Sequence, residues 1–257
     1  AKHWSESLNG MVGVDGQRGG KGGTQVMLEG RPHHLQVSWT DLSRRAVTLG
    51  VTPAAIIHAA WLLVWAQHTN RRDLAIGTVL SGRELSGESV LGTTLALLPL
   101  RVRFLDAMET LEHVVEKVHH LLLQLLVFQD CSLSEIRKWA GVAPERALFD
   151  TVIILENTPP LDMELQRRAS YNPLCEREVS VVGVAAKVLE LRVARTVHGN
   201  PNSGDGVRAT LEGVLPDDAA CSAASGGTLL IKNLDALLCA LCDQSPSGLT
   251  SVGQTLQ

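Results

Sequence analysis

The sequence predicts an α+β fold in two layers, a mixed sheet with helices packed on it. Three observations carry this. Short β-branched and leucine-rich runs recur along the chain. Amphipathic helical patterns lie between them. The last three apolar runs, 178–184, 187–195 and 207–214, follow one another with an Asn- and Gly-rich turn, HGNPNSGDG, between the last two, the pattern of strands joined by hairpins. Sheet strands with antiparallel neighbours and separate helices place the chain in the α+β class.

Taken in order, residues 10–23 carry seven glycines and read as a flexible loop. Pro32 to Trp39 alternates like a strand, with His34, Gln36 and Ser38 on one face and Leu35, Val37 and Trp39 on the other. Asp41 to Leu49 has helical character. Thr52 caps a helix that has Pro53 at its first position and runs to about His68. That helix is apolar nearly all round, so it belongs deep in the core.

Residues 73–80 and 94–103 read as buried strands, with the polar loop SGRELSGES between them. Leu111, Val114, Val115, Val118, Leu122 and Leu125 repeat at helical spacing and predict an amphipathic helix over 109–127. A shorter helix over 132–140 ends at Gly141. Phe149 to Glu156 is a β-branched strand. Residues 157–176 are irregular. Leu230, Leu234, Leu237, Leu238 and Leu241 mark a last helix, and the tail 246–257 is polar.

Composition sets outer limits. The chain has 257 residues, 45% apolar and 19% charged, enough for a core. Lys and Arg number 23 against 27 Asp and Glu, a net charge of −4, which argues against nucleic acid as a partner. The longest apolar run, Ala54 to Ala66, has thirteen residues, and a membrane-spanning helix needs about twenty. No signal peptide opens the chain. The five cysteines are scattered, which fits a reducing, cytoplasmic setting.

Several chemical motifs fail on inspection. GQRGGKGGT (16–24) has the wrong glycine spacing for a phosphate-binding loop. Cys239 and Cys242 have CxxC spacing, but they stand late in a helix and no second pair completes a zinc site. His113, Glu116 and His120 share a helical face, which reads as a solvated one. No metal site is expected. No Gly-x-Ser-x-Gly elbow supports a serine hydrolase.

Five segments in order resemble one family. They are HWSESLNG (3–10), LAIGTVLSGRE (74–84), LGTTLALLPLRVR (91–103), FQDCSLSEI (128–136) and LFDTVIILENTP (148–159). Together they are similar to the C-terminal half of a nonribosomal peptide synthetase condensation domain, a member of the chloramphenicol acetyltransferase-like fold. The resemblance implies that residues 1–245 are one lobe of a two-lobe domain whose tunnel joins two substrates by an amide bond. Both substrates would ride on the phosphopantetheine arms of peptidyl carrier proteins, with no cofactor bound directly. The N-terminal lobe and an adjacent adenylation domain would be further partners.

The family's HHxxxDG catalytic motif is absent from this chain. His33-His34 and His119-His120 are not followed by Asp-Gly, so no catalytic residue is expected here. On the tunnel or substrate side the resemblance places Ser81, Gly82, Arg83, Gly92, Ala96, Arg101, Gln129 and Asp130. Ala96 stands where the family usually has Asn. Arg83 either floors the tunnel or pairs with a carboxylate of its own lobe. Pro99 and Arg101 also fit a strand edge and an ion pair, and Asp130 could cap the helix that starts near Ser132. Two other functions stay open: a degenerate binding platform without catalysis, and a stand-alone acyltransferase using coenzyme A.

Overall fold

Alternating apolar residues and one thoroughly apolar helix need a sheet with helices to cover it, and the chain builds that arrangement. The structure, a computed structural model, describes residues 1–11, 13–15, 26–81, 95–104, 109–156, 188–196, 205–215 and 223–243. The helices are α1 (Lys2–Ser7), α2 (Trp39–Leu49), α3 (Pro53–Thr69), α4 (Leu111–Val127), α5 (Leu133–Trp139) and α6 (Ala223–Cys242). The strands are β1 (Val14–Asp15), β2 (Val26–Ser38), β3 (Asp73–Leu80), β4 (Ala96–Arg103), β5 (Arg146–Ala147), β6 (Thr151–Glu156), β7 (Leu189–Thr196) and β8 (Gly206–Leu215).

Six strands form a mixed sheet in the order β2-β8-β7-β6-β3-β4. β6 runs parallel to both β3 and β7, and the other neighbours are antiparallel. The parallel pair β3 and β6 comes from segments some seventy residues apart, with α4 and α5 between them, as a parallel connection requires. β7 and β8 form the expected hairpin.

α3 is the centre of the core. The Thr52 hydroxyl accepts from the Ala55 N–H at 3.3 Å, Pro53 opens the helix, and Asn70 closes it in the left-handed conformation at φ 49°. Every residue from Ala55 to Ala66 is buried. The cause is placement: α3 touches β3 on one side and α2, α4 and α6 on the others, leaving no face for water. Each buried Ile or Leu of this helix contributes about 2 kcal/mol of transfer free energy. At Gly77 in β3 a Cβ would stand 2.8 Å from the Phe149 ring and 2.9 Å from Val152, so only glycine lets β3 and β6 pack this closely.

Both sheet edges are managed. At β2, the Gln36 N–H donates to both carboxylate oxygens of Asp235 on α6, at 2.9 and 3.1 Å. At β4, Arg101 and Arg103 donate to backbone carbonyls at the end of α1, at 2.8 Å (Arg101 to Asn9) and 2.9 Å (Arg103 to Asn9). Pro99 therefore lies on an edge strand, where it removes no ladder bond.

The structure corrects several boundaries. β2 begins at Val26, six residues before the expected strand, because an irregularity between Leu28 and Arg31 interrupts the alternation that would reveal it. Trp39 belongs to α2, not to the strand. The Ser38 hydroxyl accepts from the Asp41 N–H at 3.0 Å and starts the helix there. Within the expected flexible loop 10–23, Val14 and Asp15 pair with Ala147 and Arg146 in a two-stranded ribbon. The expected strand 178–184, the irregular 157–176 and the tail 246–257 lie outside the described residues.

Candidate functional site

α3 lies against the sheet with its first turns beside the carboxyl end of β3 and its last turn beside the amino end of β6. His58 meets Thr78 at one end, and Trp65 meets Asp150 at the other. In open sheets with parallel strands, ligands bind outside the carboxyl ends. Here that end holds a half-open cavity of about 350 Å³. Its walls are the start of α3, the ends of β3, β6 and β7, one side of α4, and Trp39.

His58 and Thr78 are buried polar groups of this cavity, 3% and 0% exposed. The His58 Nδ1 lies 2.8 Å from the Ala54 carbonyl and its Nε2 lies 2.8 Å from the Thr78 hydroxyl. A carbonyl only accepts, so Nδ1 carries the hydrogen and Nε2 accepts from Thr78. Burial pushes the imidazole pKa from its ordinary 6.5 down to about 4, and the bond to Ala54 offsets this only in part. The ring is therefore neutral near pH 7, and both of its nitrogens are satisfied within the fold.

The rest of the lining is mainly aliphatic, with Val79, Leu80, Leu122, Leu126, Leu155 and Val193 among it. Charge gathers at the rim. The Arg195 side chain ion-pairs with Asp205, and its guanidinium stands 5.9 Å from the Trp39 ring centroid. Glu156, the last residue of β6, is half-buried and makes no ion pair among the described residues.

The opposite end of α3 is closed. Asp150, 9% exposed, accepts from Trp65 Nε1 at 2.8 Å and from the Arg71 guanidinium at 2.6 Å. Between the two ends, Trp61 Nε1 donates to the Thr151 hydroxyl at 3.2 Å, and that hydroxyl donates to the Leu189 carbonyl at 2.9 Å.

Among the described residues, the five expected on the substrate side are spread along the sheet and just before α5. Ser81 is exposed, one residue beyond the cavity wall at Leu80. Ala96 is half-buried and pairs directly with Leu80, so it stands beside the rim. Arg101, on β4, lies beside the amino end of β3, far from the cavity. It holds Asp73 at 2.7 and 2.8 Å and the end of α1, and this bidentate pair keeps the Asp73 carboxyl below the usual range. That is the structural one of its two readings. Gln129 is buried outside the cavity wall, with no hydrogen-bond partner for Oε1 among the described groups. Asp130 is exposed and does not cap α5. Ser132 does, in a capping box with Glu135, because its hydroxyl sits directly at the first turn. Gly82, Arg83 and Gly92 lie outside the described residues.

His113 is exposed on the polar face of α4, and no metal-binding group of His, Cys, Asp and Glu exists among the described residues. Cys239 and Cys242 are half-buried thiols. Burial, with Asp41 nearby, pushes Cys242 up to about 12. No single described helix is long and apolar enough to cross a membrane. The bent pair α2 and α3 meets the length and composition test, but α3 is the buried core helix.

Sequence reasoning missed Thr78, Glu156, Arg195 and Trp39. The one local signal was His58, the polar residue inside the thirteen-residue run Ala54–Ala66.

Comparison with known proteins places this geometry. The family profile of the condensation domain matches residues 35–188, more than half of the chain. The chain is 31% identical over 115 residues to nonribosomal peptide synthetase 30 of Fusarium vanettenii, covering 44% of this chain and 2% of that protein. It is 34% identical over 112 residues to malpinin synthetase of Mortierella alpina, covering 42% and 1%. Among solved structures, it superposes on a four-domain nonribosomal peptide synthetase bound to AMP and glycine with a TM-score of 0.66, at 14% identity, over 98% of this chain and 20% of that one. It matches the first condensation domain of the calcium-dependent antibiotic synthetase, in complex with a substrate analogue, with a TM-score of 0.63 at 18% identity, over 98% of this chain and 53% of that one. These structural likenesses show the shared fold. The chain spans only a few per cent of the curated relatives' length.

Proposed function

The chain belongs to the condensation-domain family of nonribosomal peptide synthetases, and from that premise we propose that it is the C-terminal lobe of such a domain. The lobe forms one wall of a tunnel in which an amine attacks a carrier-bound thioester. The C–N bond forms, the C–S bond breaks, and the carrier thiol leaves with a proton. The partner lobe carries the HHxxxDG histidine, and this lobe carries the cavity at the carboxyl ends of β3, β6 and β7. Peptidyl carrier proteins deliver both substrates on phosphopantetheine arms, and an adenylation domain loads them.

One observation supports the reading: 98% of the chain superposes on 53% of the chain of a solved condensation domain, and the carboxyl ends of its parallel strands hold a half-open cavity. The test is amide formation with two carrier-bound substrates. The chain joined to an upstream lobe with an intact HHxxxDG turns over, and the chain alone does not. Turnover by the chain alone would overturn the assignment.

Ala96 favours a second reading, a platform that binds carriers without catalysis. Beside Leu80 at the cavity rim, a methyl group supplies no hydrogen bond to substrate. On this reading the intact domain still binds a loaded carrier protein, and makes no amide even with HHxxxDG in place.

A further inference from the structure

We propose that the cavity at the carboxyl ends of β3, β6 and β7 is a specificity pocket for an uncharged, apolar acyl or side-chain group, and that Glu156 rejects anionic groups at its rim. This rests on the reading of the lobe as half of a condensation tunnel, and adds to it the class of substrate that enters.

Size is the first argument. About 350 Å³ lies at the small end of the roughly 300–1,000 Å³ of ligand pockets. It admits a branched aliphatic or aryl group, not a long peptide. The walls are the second argument. Leu80, Leu122, Leu155 and Val193 offer no hydrogen bonds. The deepest polar groups, His58 and Thr78, are bonded to each other and to Ala54. His58 has no nitrogen left and Thr78 has no hydrogen left to offer a substrate acceptor, so an anionic group pushed inward would be desolvated without compensation.

The rim supplies the third argument. Arg195 is already matched by Asp205. Glu156 has no counter-charge among the described residues, so its carboxylate sets the sign of the field at the entrance. A substrate carboxylate would meet a like charge there, which discriminates strongly where water is partly excluded. Leu123, half-exposed on α4, forms part of the wall and can be enlarged without disturbing the core.

The experiment measures binding of two N-acetylcysteamine thioesters to the full chain by calorimetry. One carries an isovaleryl group and the other a succinyl group of similar size. The isovaleryl thioester binds at least about ten-fold more tightly, the scale of a like-charge penalty at a partly desolvated rim. E156Q narrows that gap by strengthening succinyl binding. L123W closes the cavity and removes isovaleryl binding while its thermal transition stays at the parent value. Equal binding of the two thioesters by the parent chain overturns the proposal, and so does unchanged isovaleryl binding by folded L123W. The two readings fail separately. Binding that follows this pattern in a chain whose intact domain makes no amide removes the condensation assignment and leaves the pocket. Amide formation with no preference between the two acyl groups, unchanged by E156Q, removes the pocket and leaves the assignment.

Discussion

The two ends of α3 bury polar groups in opposite ways. At the amino end of β6 an ionised carboxylate is enclosed, with an indole N–H and a guanidinium on its two oxygens. At the carboxyl end of β3 an imidazole is enclosed without charge, between a carbonyl and a hydroxyl. The closed end spends its charge on holding α3 and the sheet in one register. The open end keeps charge out of the cavity wall, so that the field there comes from the rim alone. A fold that is rigid yet leaves an apolar space can do both only if the buried ion pair is far from the space.

Four substitutions or conditions test that contrast, from the largest expected effect to the smallest. Asp150→Ala strips both oxygens from Trp65 and Arg71 and leaves a half-buried guanidinium without its partner. We expect a loss of about 3 kcal/mol in urea unfolding, at the lower end for breaking a buried pair because Arg71 keeps some contact with water. A smaller loss than at the open end would break the comparison.

Acid acts on the other end. The folded pKa of His58 is depressed from 6.5 to about 4, so the unfolded chain binds this proton more readily between those values. Stability is therefore full above pH 6.5, falls as the pH drops toward 4, and is reduced by up to about 3 kcal/mol below it. Urea midpoints across that window would show the slope, and His58→Gln should flatten it.

Thr78→Val leaves His58 Nε2 without its donor inside the core. The expected cost is about 2 kcal/mol, with the helix content unchanged by circular dichroism. Removing the first cap of α3 by Thr52→Ala should cost about 1 kcal/mol, read as a shift of the thermal midpoint.

Much of this architecture could be read from the chain. α3 declared itself through Thr52, Pro53 and the nearly all-apolar run Ala54–Ala66, and α4 through its leucine and valine stripe. β6, β7 and β8 followed from β-branched runs. What stayed hidden depends on distance along the chain. The cavity draws on α2, α3, α4 and three strands, and the parallel pairing of β3 with β6 leaves no local trace in either. Ser132 was favoured over Asp130 as the cap of α5 by a geometry that spacing alone leaves open. At Arg101 the spacing fitted two roles, and the ion pair with Asp73 on the neighbouring strand depends on a contact that the spacing does not reveal.

The bond between Asp235 and the Gln36 N–H bears on how this sheet behaves in company. A bare strand at the margin of a sheet is a template on which another chain can lay down a further strand. Asp235 occupies a donor that such a chain would use, and adds a negative charge where it would have to approach. The sheet is thus discouraged from growing sideways into fibrils or swapped dimers at this margin.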